Sequence, residues 1–198
     1  MRHGFWLLAV VTVALPACVG SRPVPDVALL MQQGQLQPGT SSRPQVVRVL
    51  GRGFSQERHA LHVNWHNVGD QISRWTTLDY VALGIECTMV EMPTGPTLYR
   101  LTLKPPYGHA VLDSIRLGRQ RLGQLAQALE RPVTSFADSR TLSAYEVQSY
   151  VSLDNVRVEA RVQLDSATWN RCRRQPAVLD SIVQAAPVDR VIFSRPVS

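Results

Sequence analysis

Lysine is almost missing from this chain. Lys104 is the single one among 21 basic residues, so the formal charge of +6 is carried by arginine. Cysteine is scarce, with three in 198 residues and no Cys-x-x-Cys spacing, which excludes the usual thiol-redox motif. No apolar run approaches the ~20 residues that a membrane-spanning helix needs; the longest, over residues 5–15, has 11. There is no G-x-S-x-G elbow, no H-E-x-x-H and no glycine-rich phosphate loop. These absences remove the familiar serine-hydrolase, zinc-protease and nucleotide-binding patterns. What is present is ordinary for one folded domain: 44% hydrophobic, 7% aromatic and 18% charged residues.

The first eighteen residues say most. Met1-Arg2-His3-Gly4 is a short basic start, Phe5 to Leu15 is the apolar run, and Leu15-Pro16-Ala17-Cys18 sets a small residue before a cysteine. This layout resembles the export signal of bacterial lipoproteins, whose lipobox is cut just before a cysteine that becomes lipidated. The resemblance covers this segment alone. It implies removal of residues 1–17, acylation of Cys18 and a membrane partner held through three acyl chains. One chain binds only marginally at about 0.8 kcal/mol per buried methylene, whereas three hold permanently. Val19, not aspartate, follows Cys18; by likeness to enterobacterial sorting, that implies the periplasmic face of the outer membrane. The processed chain keeps a charge of +5, since only Arg2 is lost. Its anionic neighbours there are lipid headgroups, lipopolysaccharide, peptidoglycan carboxylates and acidic proteins, and nucleic acid is not among the expected partners.

Two further cysteines remain, Cys87 and Cys172. An oxidising compartment favours their pairing, and a disulfide closing a loop of 85 residues would add ~4 kcal/mol. The alternative is two separate buried thiols.

Residues 18–45 read as the lipidated cysteine and a flexible tether, because Pro23, Pro25, Pro38, Pro44, Gly34 and Gly39 leave little to bury. The folded domain is then expected over residues 46–198. Period-two alternation predicts strands at 46–50, around Leu61, Val63 and Trp65, over 81–89, and around Tyr99, Leu101 and Leu103. It also predicts a hairpin of 145–153 and 156–164 about Asp154-Asn155, and a last strand at 188–193. Residues 67–77 read as a polar connection. A stripe of Leu112, Ile115, Leu122, Leu125 and Leu129 predicts a helix over 110–130. Asp165 offers a cap for a second helix over 167–174, with a continuation from Pro176 to about residue 185. The hexapeptide at 110–115 recurs at 177–182, which reads either as an old strand–strand–helix duplication or as two similar helix starts. The fold class expected is α+β, an antiparallel sheet of about seven strands in hairpins with two main helices packed on one face.

Candidate chemistry is sparse. His59, His62 and His66 would share a helical face, but their neighbours predict a strand, on which His62 and His66 stand about 13 Å apart. No metal site and no cofactor are expected from them. The Asp-Ser pairs at 113–114, 165–166 and 180–181 fit helix starts. Glu86 and Glu91, on either side of Cys87, read as surface charge. Arg171, Arg173 and Arg174 surround Cys172, with Arg157 and Arg161 on the outer face of the hairpin. Converging, they would form a patch for phosphate or carboxylate; otherwise they are a solvated helix face. Trp75 and Trp169 are candidates for a partner surface or for the core. The expected role is a non-enzymatic accessory or assembly factor of an envelope secretion or transport complex, with other envelope proteins as partners. A module binding glycan, lipid or lipopolysaccharide through the arginine patch is second, and an envelope hydrolase with an unfamiliar site is third.

Overall fold

A computed structural model of the chain describes residues 23–65, 69–111, 116–128, 135–139, 144–153, 156–175, 177–178, 181 and 185–195. The signal, Cys18, His66, the tip of the 145–164 hairpin and the Asp113-Ser114 and Asp180 positions lie outside the described residues.

Two short helices open the chain. The first, α1, spans Val27–Gln32 and is capped by Asp26, whose carboxylate accepts from Leu29 N at 3.1 Å. The second, α2, spans Arg43–Leu50. The expected strand at 46–50 is therefore a helix. Its Val-Val-Arg-Val-Leu sequence is β-prone, but the residues before it carry a stronger signal. Gln45 Oε1 accepts from the Ser42 backbone N–H at 2.7 Å, the reciprocal contact of a capping box, with Pro44 in the first turn and Gly51 ending the helix at φ +93°. The tether expected over 18–45 is likewise replaced from Pro23 onward. Val27 and Leu36 are fully buried and belong to the same core as the sheet.

Next come β1 (Ser55–Trp65), β2 (Gly69–Tyr80), a 3-10 turn at Val81–Leu83, β3 (Ile85–Met92) and β4 (Gly95–Leu103). After these come α3 (Leu122–Ala128), β5 (Ser135–Ser139), β6 (Ala144–Leu153), β7 (Val156–Leu164), α4 (Ser166–Arg174) and β8 (Arg190–Ser194). The architecture is α+β, with one antiparallel sheet in the order β1-β2-β3-β4-β8-β7-β6-β5 among the described residues. The last strand is the keystone: β8 slots between β4 and β7 and joins two meanders that are remote in sequence.

Register sorts the side chains into two faces. Leu78 opposes Cys87, Cys87 opposes Leu101, Leu101 opposes Phe193 and Phe193 opposes Val158, an apolar row across five strands. These residues and Val27, Val46, Leu50 and Leu122 from the helices form one buried cluster, so α1, α2 and α3 contribute to the core on this face. Each fully buried leucine there contributes roughly 1.5–3 kcal/mol. The opposite face is polar. It carries Asp79, Glu86, Lys104, Arg100, Arg157, Glu159 and Arg161, interrupted by buried Thr102, Ile192 and Ser194.

The hairpin of β6 and β7 agrees with its expected bounds, with Leu153 opposite Val156. Asp165 caps α4 as expected, its carboxylate accepting from Thr168 N at 2.8 Å. Residues 69–77, expected as a connection, belong to β2, which pairs with β1 along its whole length. Among the described residues of the helix expected over 110–130, only Leu122–Ala128 are helical. Gly118 turns the chain at φ +70°, and Arg121 pairs with Pro187 in an isolated bridge. Of the repeated hexapeptide only the first two positions are described in both copies, and there Ala110 and Val111 are not helical whereas Ala177 and Val178 are.

Cys87 is a free thiol, fully buried between Leu78 and Leu101, so the expected Cys87–Cys172 disulfide is not formed. The physical reason is placement: Cys87 sits mid-sheet on the covered face of β3, while Cys172 lies on α4, beyond β7. Its seclusion also raises the thiol pKa far above the usual range, with Glu86 adding to the effect.

Candidate functional site

The β1–β2 ribbon is longer than its support. Beyond the Trp75–Val90 pair, β2 has no partner but β1 among the described residues, so the two strands leave the sheet as an arm. Where the arm departs, a cleft of about 600 Å³ opens, lined by Arg43, Arg58, His59, Ser73, Arg74, Trp75, Thr76, Val90 and Glu91. This volume is in the range of small-molecule sites. A second hollow, beside Tyr99 and Arg195, holds only about 80 Å³.

Three arginines line this cleft, from β1, β2 and α2. Arg58 and Arg74 project from the same face of the ribbon as diagonal neighbours, since Arg58 opposes Thr76 and Arg74 opposes Ala60. Arg43 comes from the first turn of α2, its Nη2 donating to Gln56 Oε1 at 2.6 Å. Among the described residues no carboxylate pairs with any of the three, and Glu91 is the one acid in the lining. On the other face of the ribbon, His59 stacks on its cross-strand partner Trp75 at 5.2 Å and 16°. Guanidinium groups without a carboxylate partner suit an anionic group.

His59 also touches Thr77 and Glu57. Its Nε2 lies 3.2 Å from Thr77 Oγ1 and 3.8 Å from Glu57 Oε2. A nucleophile–base–acid relay needs the hydroxyl and the acid on different ring nitrogens. Both contacts here use Nε2, so the arrangement fixes the ring against Trp75 and does not activate Thr77.

On the polar face, Lys104 Nζ bridges Asp79 at 3.0 Å and Glu86 at 3.1 Å. Burial opposes its charge, but the two carboxylates outweigh that and raise its pKa. Glu86 is therefore engaged structurally, and it lies on the opposite face from Glu91.

The arginines singled out by sequence are distributed differently. Arg171 and Arg174 are exposed on α4, where Cys172 and Arg173 also lie. Arg157 and Arg161 stand on the polar face of β7, and Arg161 holds Glu159 at 2.8 Å. No described contact brings the α4 arginines to Arg157 or Arg161. Trp169 is buried, and Trp75 is among the residues lining the cleft. His59 and His62 both lie on β1, three residues apart. The cleft itself escaped the sequence reading, because Arg74 and Trp75 lay in the supposed connection. The one available signal was alternation in Arg58-His-Ala60 and Arg74-Trp-Thr76, which period two sorts onto opposite faces.

Comparison with family models, with curated proteins and with solved structures finds no match to this chain. The fold and site alone define it as an α+β sheet domain with a cationic cleft.

Proposed function

We propose that this chain is a lipid-anchored envelope protein that acts by binding: an accessory or assembly factor of a secretion or transport complex at the periplasmic face of the outer membrane. The observation that carries it is the run from residue 5 to Cys18, with a folded domain in place by Pro23. That spacing suits an anchored domain, because an acylated Cys18 holds whatever follows it at the bilayer. The cleft supports a binding role. Its cations are unpaired and its histidine is committed to an aromatic stack, which favours capture of an anionic group over turnover. The anionic-ligand reading thus moves from Arg171, Arg173 and Arg174 to Arg43, Arg58 and Arg74.

The test pairs two measurements. Cys18→Ser abolishes labelling by radioactive palmitate and releases the protein from membranes; continued labelling and retention overturn the anchor. A photo-crosslinker at Ser73, on the cleft wall, captures a discrete envelope partner in intact membranes. Capture that is equally strong with Arg58→Glu and Arg74→Glu combined overturns the cleft as the binding site.

A further inference from the structure

The chain enters the domain at one end of the sheet. His109 Nε2 donates to Val24 O at 2.7 Å, and Val27 N donates to Tyr107 Oη at 2.9 Å, so the entering segment is bound to the turn that follows β4. The 3-10 turn between β2 and β3 is bound to the same place. Lys104 N donates to Gly84 O at 2.9 Å, and Gly84 is packed against the backbone of Lys104, Pro106 and Tyr107. Three segments thus meet in one rim: residues 23–27, 81–84 and 104–109.

That rim is exposed and apolar where it faces outward. Val81 is 63% exposed, the most exposed large hydrophobic residue described. Ala82, Pro105, Pro106 and Pro23 are exposed beside it. Of the charges nearby, Lys104 is held by Asp79 and Glu86 and Asp26 by the start of α1, while Arg116 reaches the rim from outside, its Nη1 donating to Gly108 O at 3.4 Å. Exposed apolar residues gathered at one site mark a surface for an apolar neighbour.

Chain length says which neighbour. Five residues carry the chain from Cys18 to Pro23, a reach of at most about 18 Å when fully extended. An anchored Cys18 therefore keeps this rim close to the bilayer. We infer that Val81, Ala82, Pro105 and Pro106 insert into the lipid surface that holds the acyl chains, so that the domain lies on the membrane in one orientation. The inference rests on the anchored reading of Cys18. It places the strands upright. From the Ser55–Asp79 pair at the rim, the arm runs ten further residues to Trp65–Gly69, about 33 Å at strand rise. The arginine cleft stands between, open to the aqueous side.

The test uses the full, acylated chain in phosphatidylethanolamine–phosphatidylglycerol vesicles containing spin-labelled lipid. An environment-sensitive fluorophore is placed at Ala82→Cys or at Thr94→Cys, the latter in the turn between β3 and β4 at the far end of the sheet, each with Cys172→Ser; buried Cys87 stays unlabelled. The probe at position 82 shifts to the blue and is quenched several-fold more than the probe at 94. Val81→Asp removes that quenching while palmitate labelling persists, and raising the salt leaves it unchanged because the contact is apolar. Equal quenching at 82 and 94 in an acylated, vesicle-bound protein overturns the rim and leaves the anchor standing. Loss of acylation in the unmodified chain overturns the anchor, and the rim with it.

Discussion

The backbone N–H of Val27 donates to the hydroxyl of Tyr107 across 80 residues of chain, at 2.9 Å. This bond ties the first helix to the end of β4 and makes the N-terminal segment part of the fold. Tyr107→Phe leaves a buried N–H without its acceptor and costs about 1–3 kcal/mol, read as a lower urea midpoint. It also changes the response to alkali. Burial pushes the Tyr107 hydroxyl up to about 12 from its ordinary 10, against the opposing effect of the bond from Val27. The folded state therefore holds the neutral phenol more firmly than the unfolded state does. The stability this confers is complete below pH 10 and is lost as pH rises from 10 to 12. On the order of 2–3 kcal/mol is at stake. The Phe variant loses that part of the alkaline decline; an unchanged slope would refute the assignment.

Gly84 sits at φ +67°, where a Cβ would fall on the carbonyl oxygen of Lys104 and the amide nitrogen of Tyr107. Gly84→Ala thus carries the left-handed penalty of roughly 1–2 kcal/mol together with displacement of the backbone turn at 104–107, which its own hydrogen bond from Tyr107 N to Lys104 O holds closed. The expected loss is more than about 3 kcal/mol. Gly53 is the control: nothing lies within 4 Å of its added Cβ and its φ is not positive. Gly53→Ala is neutral or stabilising by up to about 1 kcal/mol. Equal thermal shifts for the two variants would contradict the close approach at Gly84.

The sequence showed the β6–β7 hairpin and the α4 cap because local signals sufficed there: two alternating runs about a short turn, and an aspartate before a helix. It concealed β2 because Gln71, Ser73, Arg74, Thr76 and Thr77 are polar on both faces, and only pairing with β1 and β3 makes them a strand. It concealed α2 because valines outvoted a Ser-x-x-Gln capping signal. A register shift between Thr88 and Met89 buries Leu98 and exposes Tyr99, reversing the phase expected for the start of β4. The cleft was hidden for the same reason as β2, since its arginines converge only once the ribbon is paired.

Cys87 should be chemically silent. In a Cys18→Ser, Cys172→Ser chain, a thiol reagent finds no reactive group in the native protein and one after denaturation, because a buried thiol of raised pKa offers no thiolate. Cys172→Ser and added reductant leave the urea midpoint unchanged, as no cross-link is lost. Cys87→Ser places a hydroxyl in an apolar row without a partner and costs about 1–3 kcal/mol. A native mobility shift on reduction would show that the disulfide forms after all.

The last prediction separates a site from a net charge. Arg58→Glu with Arg74→Glu, and Arg171→Glu with Arg174→Glu, each lower the formal charge by the same amount on exposed residues. Screening treats distant exposed charges alike, so non-specific attraction to an anionic polymer falls equally in both variants. A cleft lined by three guanidinium groups adds paired hydrogen bonds that the α4 surface lacks. Affinity for heparin, measured by titration at fixed salt, should therefore drop roughly tenfold further for the cleft pair than for the helix pair, about 1.4 kcal/mol. Both variants keep the thermal midpoint of the parent, since none of the four arginines makes a described ion pair. Equal losses would assign the binding to overall charge and remove the cleft as its seat.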